Sequence, residues 1–214
     1  RYMIKHRDTI PLEKRYKFGR FVMKVLMRPG KIKTISTGAE NLPKEDGYVM
    51  FPNHQGKYDV LGIMWAHKLP CTFVIDKKRS GIPFAREFTK LLEASKLDKT
   101  DMRSQVKTIS NVINQVKDGR RYIIFPEGGY SDNNNDVHDF LPGTFKCSVK
   151  SKTPIVPVAL VDSYKVFGIN SLRPVNTQVH FLEPIYYDEY KDLSTKEIAN
   201  LVQTKITNVV NAAS

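Results

Sequence analysis

Apolar positions along the chain recur with two periods. In LEKRYKFGRFVMKVLMR, Leu12 to Arg28, Phe18, Phe21, Val22, Val25 and Leu26 fall on one side at about 100° per residue. Lys14, Lys17, Arg20, Lys24 and Arg28 fall on an adjoining side, and an RPG stop follows. This pattern predicts a basic amphipathic helix. Beyond it, short apolar runs alternate with helical patterns. Strands are expected at 31–37, 47–53, 72–76, 95–98, 121–127, 155–161 and 177–183, and helices at 58–68, 83–94, 101–118, 143–151 and 194–212. The segment 101–118 shows the signals together: Asp101 can cap, Met102, Val106, Ile109, Val112, Ile113 and Val116 recur at helical spacing, and Gly119 stops the helix. The alternation predicts an α/β fold, a mixed, largely parallel central sheet of about seven strands flanked by helices. In such sheets, sites form where strands end and helices begin.

Two strand ends carry candidate chemistry. In FPNHQGKYD an apolar run stops at Pro52, turns through Asn53 and His54, and opens a helix with Asp59. An Asp in a first helical turn also complements the helix dipole, so Asp59 alone has a structural explanation. If the turn folds back, Asp59 can instead accept from one ring nitrogen of His54 and leave the other free to take a proton. The second strand end, FPEGGYSD, repeats the Phe-Pro turn and supplies Glu127 as an acceptor, with Gly128 and Gly129 allowing close backbone approach. His6, His67, His138 and His180 are expected to be structural or surface residues, and Met64 and Trp65 core residues.

Composition narrows the setting. The 214 residues suit one domain with at most a small appendage. Cys71 and Cys147 have no C-x-x-C partner, so neither a disulfide framework nor a zinc site is expected, and a reducing compartment fits. A formal net charge of +12 attracts polyanions, whether nucleic acid, anionic lipid or an acidic carrier protein. The longest uncharged apolar run, Thr153 to Val161, is of strand length and far below the roughly 20 residues of a membrane-spanning helix.

The order and spacing of these motifs resemble the glycerolipid acyltransferase family from about Gly38 to Val161. NHQGKYD matches the family's Asn-His-x4-Asp motif and FPEGGYS its Phe-Pro-Glu-Gly motif. TPIVPVAL resembles its proline-rich strand, and KLDKTD approximates its remaining motif. The resemblance implies a fold like that of glycerol-3-phosphate acyltransferase. It divides the chain into an N-terminal amphipathic docking region, 1–30, and an acyltransferase domain, 31–214. It implies His54 as general base, Asp59 as its orienting partner, and Asn53, Glu127, Gly128 and Gly129 at the acceptor site. The donor would be acyl-CoA or an acyl carrier protein thioester, the acceptor lysophosphatidate or another lysophospholipid or hydroxylated lipid. No metal and no cofactor would be needed.

The family's phosphate-holding Arg is replaced here by Tyr130, and the Arg of the weaker motif by Lys99. Lys99, Lys78, Arg79 or Lys146 could supply the missing positive charge. With the resemblance included, the basic helix suits docking on an anionic membrane surface, on the cytoplasmic side. Two other classes compete. A metal-dependent hydrolase would use His54, Asp59, Glu127, His138 and Asp139, but no H-x-x-x-H or D-x-D cluster pre-positions its ligands. A nucleic-acid-binding module would use the basic charge, but the chain carries no recognised nucleic-acid motif, so no nucleic-acid partner is expected.

Overall fold

The structure, a computed structural model, describes residues 1–28, 31–168 and 174–213. The strands are β1 (Ile32–Thr37), β2 (Val49–Pro52), β3 (Thr72–Asp76), β4 (Ser95–Leu97), β5 (Tyr122–Ile123), β6 (Ile155–Val161) and β7 (Val175–Phe181). The helices are α1 (Tyr2–Lys5), α2 (Leu12–Met27), α3 (Asp59–Ala66), α4 (Pro83–Leu91), α5 (Met102–Lys117), α6 (Lys146–Ser151), α7 (Lys165–Gly168), α8 (Tyr187–Tyr190) and α9 (Thr195–Ala213). The strands form one sheet of seven in the order β1-β7-β6-β2-β5-β3-β4. Neighbours are parallel except β6 and β7, which are antiparallel, so β1 and β7 run against the other five.

The sheet is buried on both faces, as a largely parallel sheet requires. Alternation along β2 and β6 divides the core in two. Val49, Phe51, Ile155, Ala159 and Val161 pack with residues of α5 and α9, including Val112, Val116, Val202 and Ile206. Met50, Val156, Val158 and Leu160 pack on the other face with residues of α2, α3 and α4, including Tyr16, Met23, Ile63 and Phe88. The expected Asp101 cap is present, its carboxylate accepting from the backbone amides of Arg103 and Ser104. β5 is shorter than the run 121–127 suggests. Its ladder with β2 ends where the Ile124 amide donates to the Met50 carbonyl (2.9 Å), and Phe125-Pro126-Glu127 turns out of the sheet. The expected helix 143–151 begins as a 3₁₀ turn, Pro142–Phe145, and becomes α6.

The face by which α2 packs differs from the stripe seen in the sequence. Tyr16, Gly19, Met23 and Met27 face the core, whereas Phe18, Phe21 and Val25 are 41%, 62% and 49% exposed. Polar groups decide this. The Tyr16 hydroxyl donates to the His67 carbonyl (2.8 Å), and the buried Arg15 guanidinium donates to the Leu91 carbonyl (2.7 Å) and to Glu93 Oε1 (2.8 Å). Arg20, assigned to the solvated flank, donates to the Trp65 carbonyl (2.8 Å). The side chain of Leu26, and Pro29 and Gly30 of the expected stop, lie outside the described residues. The helix therefore joins the same core as residues beyond 31 while an apolar strip faces outward.

Candidate active site

Parallel strands β6, β2, β5, β3 and β4 end on one edge of the sheet, and the candidate residues lie there. Past Pro52 the chain leaves β2 through Asn53. The Asn53 amide continues the ladder in place of backbone, donating to the Leu160 carbonyl (3.0 Å) and accepting from the Leu160 amide (2.7 Å). Asn53 is fully buried, and both polar atoms of its side chain are engaged with the Leu160 backbone. It fixes where the following turn departs.

That turn folds back as the His–Asp alternative requires. His54 Nδ1 lies 2.6 Å from Asp59 Oδ2. The same oxygen accepts from the backbone amides of Gln55 (2.6 Å) and Gly56 (2.9 Å), and Oδ1 accepts from the Ser163 hydroxyl. Asp59 is wholly buried, and a buried carboxylate persists only when hydrogen-bonded. Three of these partners, the Gln55 and Gly56 amides and the Ser163 hydroxyl, can donate to the carboxylate whatever the state of the ring. A tautomer with its proton on Nδ1 completes the set and leaves Nε2 facing away from Asp59.

Two aromatic rings hold the imidazole. Phe125 stacks on it with centroids 3.9 Å apart, and Tyr130 meets it edge-on at 4.5 Å. The His54 side chain keeps 16% of its surface exposed, so the site is reachable. The His54 backbone amide donates to Glu127 Oε1 (2.9 Å), tying the β2 and β5 turns together. Among the described residues no side-chain hydrogen bond is made to Glu127 Oε2, which is buried. Burial pushes the Glu127 carboxyl up to about 8, the His54 and His138 backbone groups opposing and the Asp59 charge adding to the rise. Burial thus biases Glu127 toward its protonated form. Gly128 has φ +71°, which favours glycine, and a Cβ there would lie 2.8 Å from Leu141 Cδ1, at the end of an exposed side chain that could shift.

The basic candidates separate. Lys99 reaches back from the β4 end, its ammonium group donating to the Gly128 carbonyl and lying 3.8 Å from Asp76 Oδ2. A Cβ on Gly129 would lie 4.0 Å from Lys99 Nζ, so Lys99 covers this turn. The Arg79 guanidinium sits 4.3 Å from the centroid of the Tyr130 ring, and that ring touches His54. A positive charge thus reaches the vicinity of the position where the resemblance expects Arg, from another strand end and on an aromatic platform. Lys78 is exposed, and its backbone amide rather than its ammonium group takes part in the turn, donating to Asp76 Oδ1 (2.8 Å).

Several site residues were not singled out from the sequence. Gln55 bridges the Leu160 carbonyl (2.8 Å) and Asn135 Oδ1 (2.9 Å), and its own oxygen accepts from the Ser163 amide (2.9 Å). Asn133 donates to the His54 carbonyl (3.2 Å). DNNND, which reads as a plain polar loop, is therefore part of the site's scaffold. Ser163 could have been found by the strand-end rule that picked out His54 and Glu127, because it follows β6 by two residues. His67 is a satisfied core histidine, held by the Tyr48 hydroxyl (2.7 Å) and the Leu69 carbonyl (2.7 Å), and burial lowers it to about 4. The hydrolase alternative lacks its ligand set: among the described residues no three His, Cys, Asp or Glu side chains are grouped to hold a metal.

An acyltransferase family model matches residues 33–161. The 1-acyl-sn-glycerol-3-phosphate acyltransferase of Borreliella burgdorferi is 28% identical over 198 residues, covering 89% of this chain and 78% of that protein. The chloroplastic 1-acyl-sn-glycerol-3-phosphate acyltransferase of Brassica napus is 29% identical over 85% of this chain, which spans 52% of it. The crystal structure of a 1-acyl-sn-glycerophosphate acyltransferase from Thermotoga maritima superposes with a TM-score of 0.75 at 22% identity, over 94% of this chain and 79% of that one. The fold is thus that of an α/β acyl-transfer enzyme. The chain belongs to the acyltransferase family.

Glu127 gives the site a pH signature. Its carboxyl is raised from the ordinary 4.5 to about 8 in the folded chain. Its contribution to stability is therefore fully present below about 4.5 and is lost as pH rises through about 8. Urea unfolding at pH 5 and pH 8.5 is expected to show wild type losing stability relative to Glu127→Gln at the higher pH. Parallel pH dependence in the two proteins would show that Glu127 is not held protonated.

Proposed function

We propose that the chain transfers a fatty acyl group from an acyl-CoA or acyl carrier protein thioester to the free hydroxyl of lysophosphatidate, giving phosphatidate. The observation that carries this reading is the His54 Nδ1–Asp59 Oδ2 contact of 2.6 Å on the sheet edge that also holds Glu127, Lys99 and Arg79. His54 Nε2 takes the acceptor's hydroxyl proton, and the buried Asp59 carboxylate stabilises the imidazolium. The acceptor oxygen attacks the thioester carbonyl, the C–S bond breaks, and the departing thiolate takes the proton back from His54. Glu127, which burial biases toward its protonated form, offers its carboxyl to the acceptor. Arg79 grips the acceptor's phosphate from its Tyr130 platform, with Lys99 beside it as a point charge. The substrate class is supported by the relatives, which are 1-acyl-sn-glycerol-3-phosphate acyltransferases.

The outward strip of α2 suits an anionic membrane surface, where acceptor and product reside. Phe18, Phe21 and Val25 lie beside exposed Lys14, Lys17, Lys24 and Arg28, and Ile82 and Phe84 of the α4 end are 52% and 44% exposed. An apolar groove of about 580 Å³, lined by Tyr2, Ile4, Phe18, Pro83 and Leu91 among others, opens between α1, α2 and α4. This composition is that of an interfacial helix. Among the described residues no helix is long and apolar enough to cross a membrane. In this reading the enzyme works on the cytoplasmic side of that membrane and meets its thioester donor there.

In an assay with acyl thioester and lysophosphatidate, His54→Ala is expected to lower kcat by about a thousandfold, within the 10²–10⁴ span typical of general-base catalysis, with the melting temperature little changed. Retained acyl transfer in that variant would remove His54 as the base. Arg79→Ala is expected to raise KM for lysophosphatidate about tenfold or more while barely affecting KM for monoacylglycerol, the difference a charge-assisted phosphate contact makes. Equal effects on both acceptors would place the phosphate elsewhere.

A further inference from the structure

Among the described residues Asp59 Oδ1 has one hydrogen-bond partner, Ser163, and it lies past the end of a different strand. β6 ends at Val161, and the next residue, Asp162, has φ +61°, in the left-handed region that Asp tolerates better than most side chains. Side chains hold that turn in place. Asn135 Oδ1 accepts from the Asp162 amide (2.9 Å), Asn135 Nδ2 donates to Asp162 Oδ1 (3.0 Å), and Lys165 Nζ lies 2.7 Å from Asp162 Oδ2. A strained residue held by this many contacts is over-determined by its surroundings, the pattern of a functional constraint. The turn swings the buried Ser163 back over the His54–Asp59 loop. Its amide donates to Gln55 Oε1 (2.9 Å). Its hydroxyl reaches both Gln55 Oε1 (3.1 Å) and Asp59 Oδ1. An O–H can be shared between two acceptors. The carboxylate is the stronger acceptor and its contact is the shorter, so the bond falls mainly on Asp59 Oδ1.

We infer that Ser163 is a positioning residue for acyl transfer, fixing the Asp59 carboxylate so that Oδ2 stays on His54 Nδ1. Rotation about Cβ–Cγ would draw Oδ2 off His54 Nδ1 and off the Gln55 and Gly56 amides. The bond to Oδ1 pins the other oxygen against that rotation and so helps set the plane in which Nδ1 meets the carboxylate. Ser163 bonds to Asp59 and Gln55 rather than to His54, so its effect on the imidazole runs through the Asp59 carboxylate, as an outer partner acts on a catalytic or metal-binding histidine. Asn135, Gln55 and Asp162 act one step further out, holding Ser163 itself.

This inference rests on His54 being the base, and the two claims fail separately. Ser163→Ala is expected to lower kcat for acyl transfer to lysophosphatidate about tenfold, with KM for both substrates within about twofold, the signature of an interaction realised in the transition state. Ser163→Thr, which keeps the hydroxyl, is expected to recover most of kcat. Ser163→Cys, close in size and a weak donor, is expected to fall between Ala and Thr. Thermal melting of each variant accompanies the kinetics, and the ranking in kcat is expected not to follow the ranking in melting temperature. Unchanged kcat in the Ala variant, a change confined to KM, or Thr and Cys no better than Ala would overturn the role of Ser163. If any of these held while His54→Ala remained inactive, the base would stand and only the positioning claim would fall.

Discussion

A carboxylate with no exposure to water sits at the centre of this site. Asp59 remains charged there because backbone and side-chain donors from the β2 turn and the β6 end converge on it. Nearly every other feature follows from keeping that arrangement in register. Asn53 fixes the departure of the turn from β2 by pairing with Leu160, Gln55 ties the same turn to the β6 end, and Asn133 holds the His54 carbonyl. Removing one member leaves a buried polar group unpaired, typically costing about 1–3 kcal/mol, so the network behaves as a unit.

The sheet makes this convergence possible. Because β6, β2 and β5 are adjacent and parallel, three turns leave the same edge side by side. Each contributes one kind of chemistry: Ser163 from β6, the His–Asp pair from β2, and Glu127 from β5. The next strands outward, β3 and β4, bring Arg79 and Lys99. The polar site and the apolar strip of α2 are linked through α4, whose first turn follows the Arg79 loop and lines the groove between α1 and α2. A charged head at Arg79 and an apolar tail in a lipid layer are thereby compatible with one bound pose.

Much of this was legible in the sequence, and the failures share a cause. Element types and order follow from local periodicity, because strands buried on both faces and helices with one apolar stripe leave clear patterns. His54, Asp59 and Glu127 were found because chemistry-bearing residues at strand ends stand out. What local pattern could not show was which distant backbone group a side chain would meet. That Asn53 pairs with Leu160 shows only once β6 proves to lie against β2. Asn133 and Asn135 read as loop residues until they meet His54 and Asp162. The packed face of α2 was not legible either, because Tyr16, Arg15 and Arg20 find carbonyls 45 to 76 residues away. Arg79, one of the charges that could stand in where Tyr130 replaces Arg, lies against that Tyr ring.

The central claim is that Asp59 holds His54 in one tautomer with Nε2 unprotonated and ready to take a proton. Imidazole ¹⁵N NMR of the unliganded protein, recorded with Asp59→Asn alongside and His54→Gln for assignment, reads that tautomer directly. The account predicts a protonated Nδ1 and a bare Nε2 for His54 above the pH at which the ring loses its second proton, and loss of that preference in Asp59→Asn. A His54 ring protonated at Nε2 instead, or a tautomer indifferent to Asp59, would contradict it.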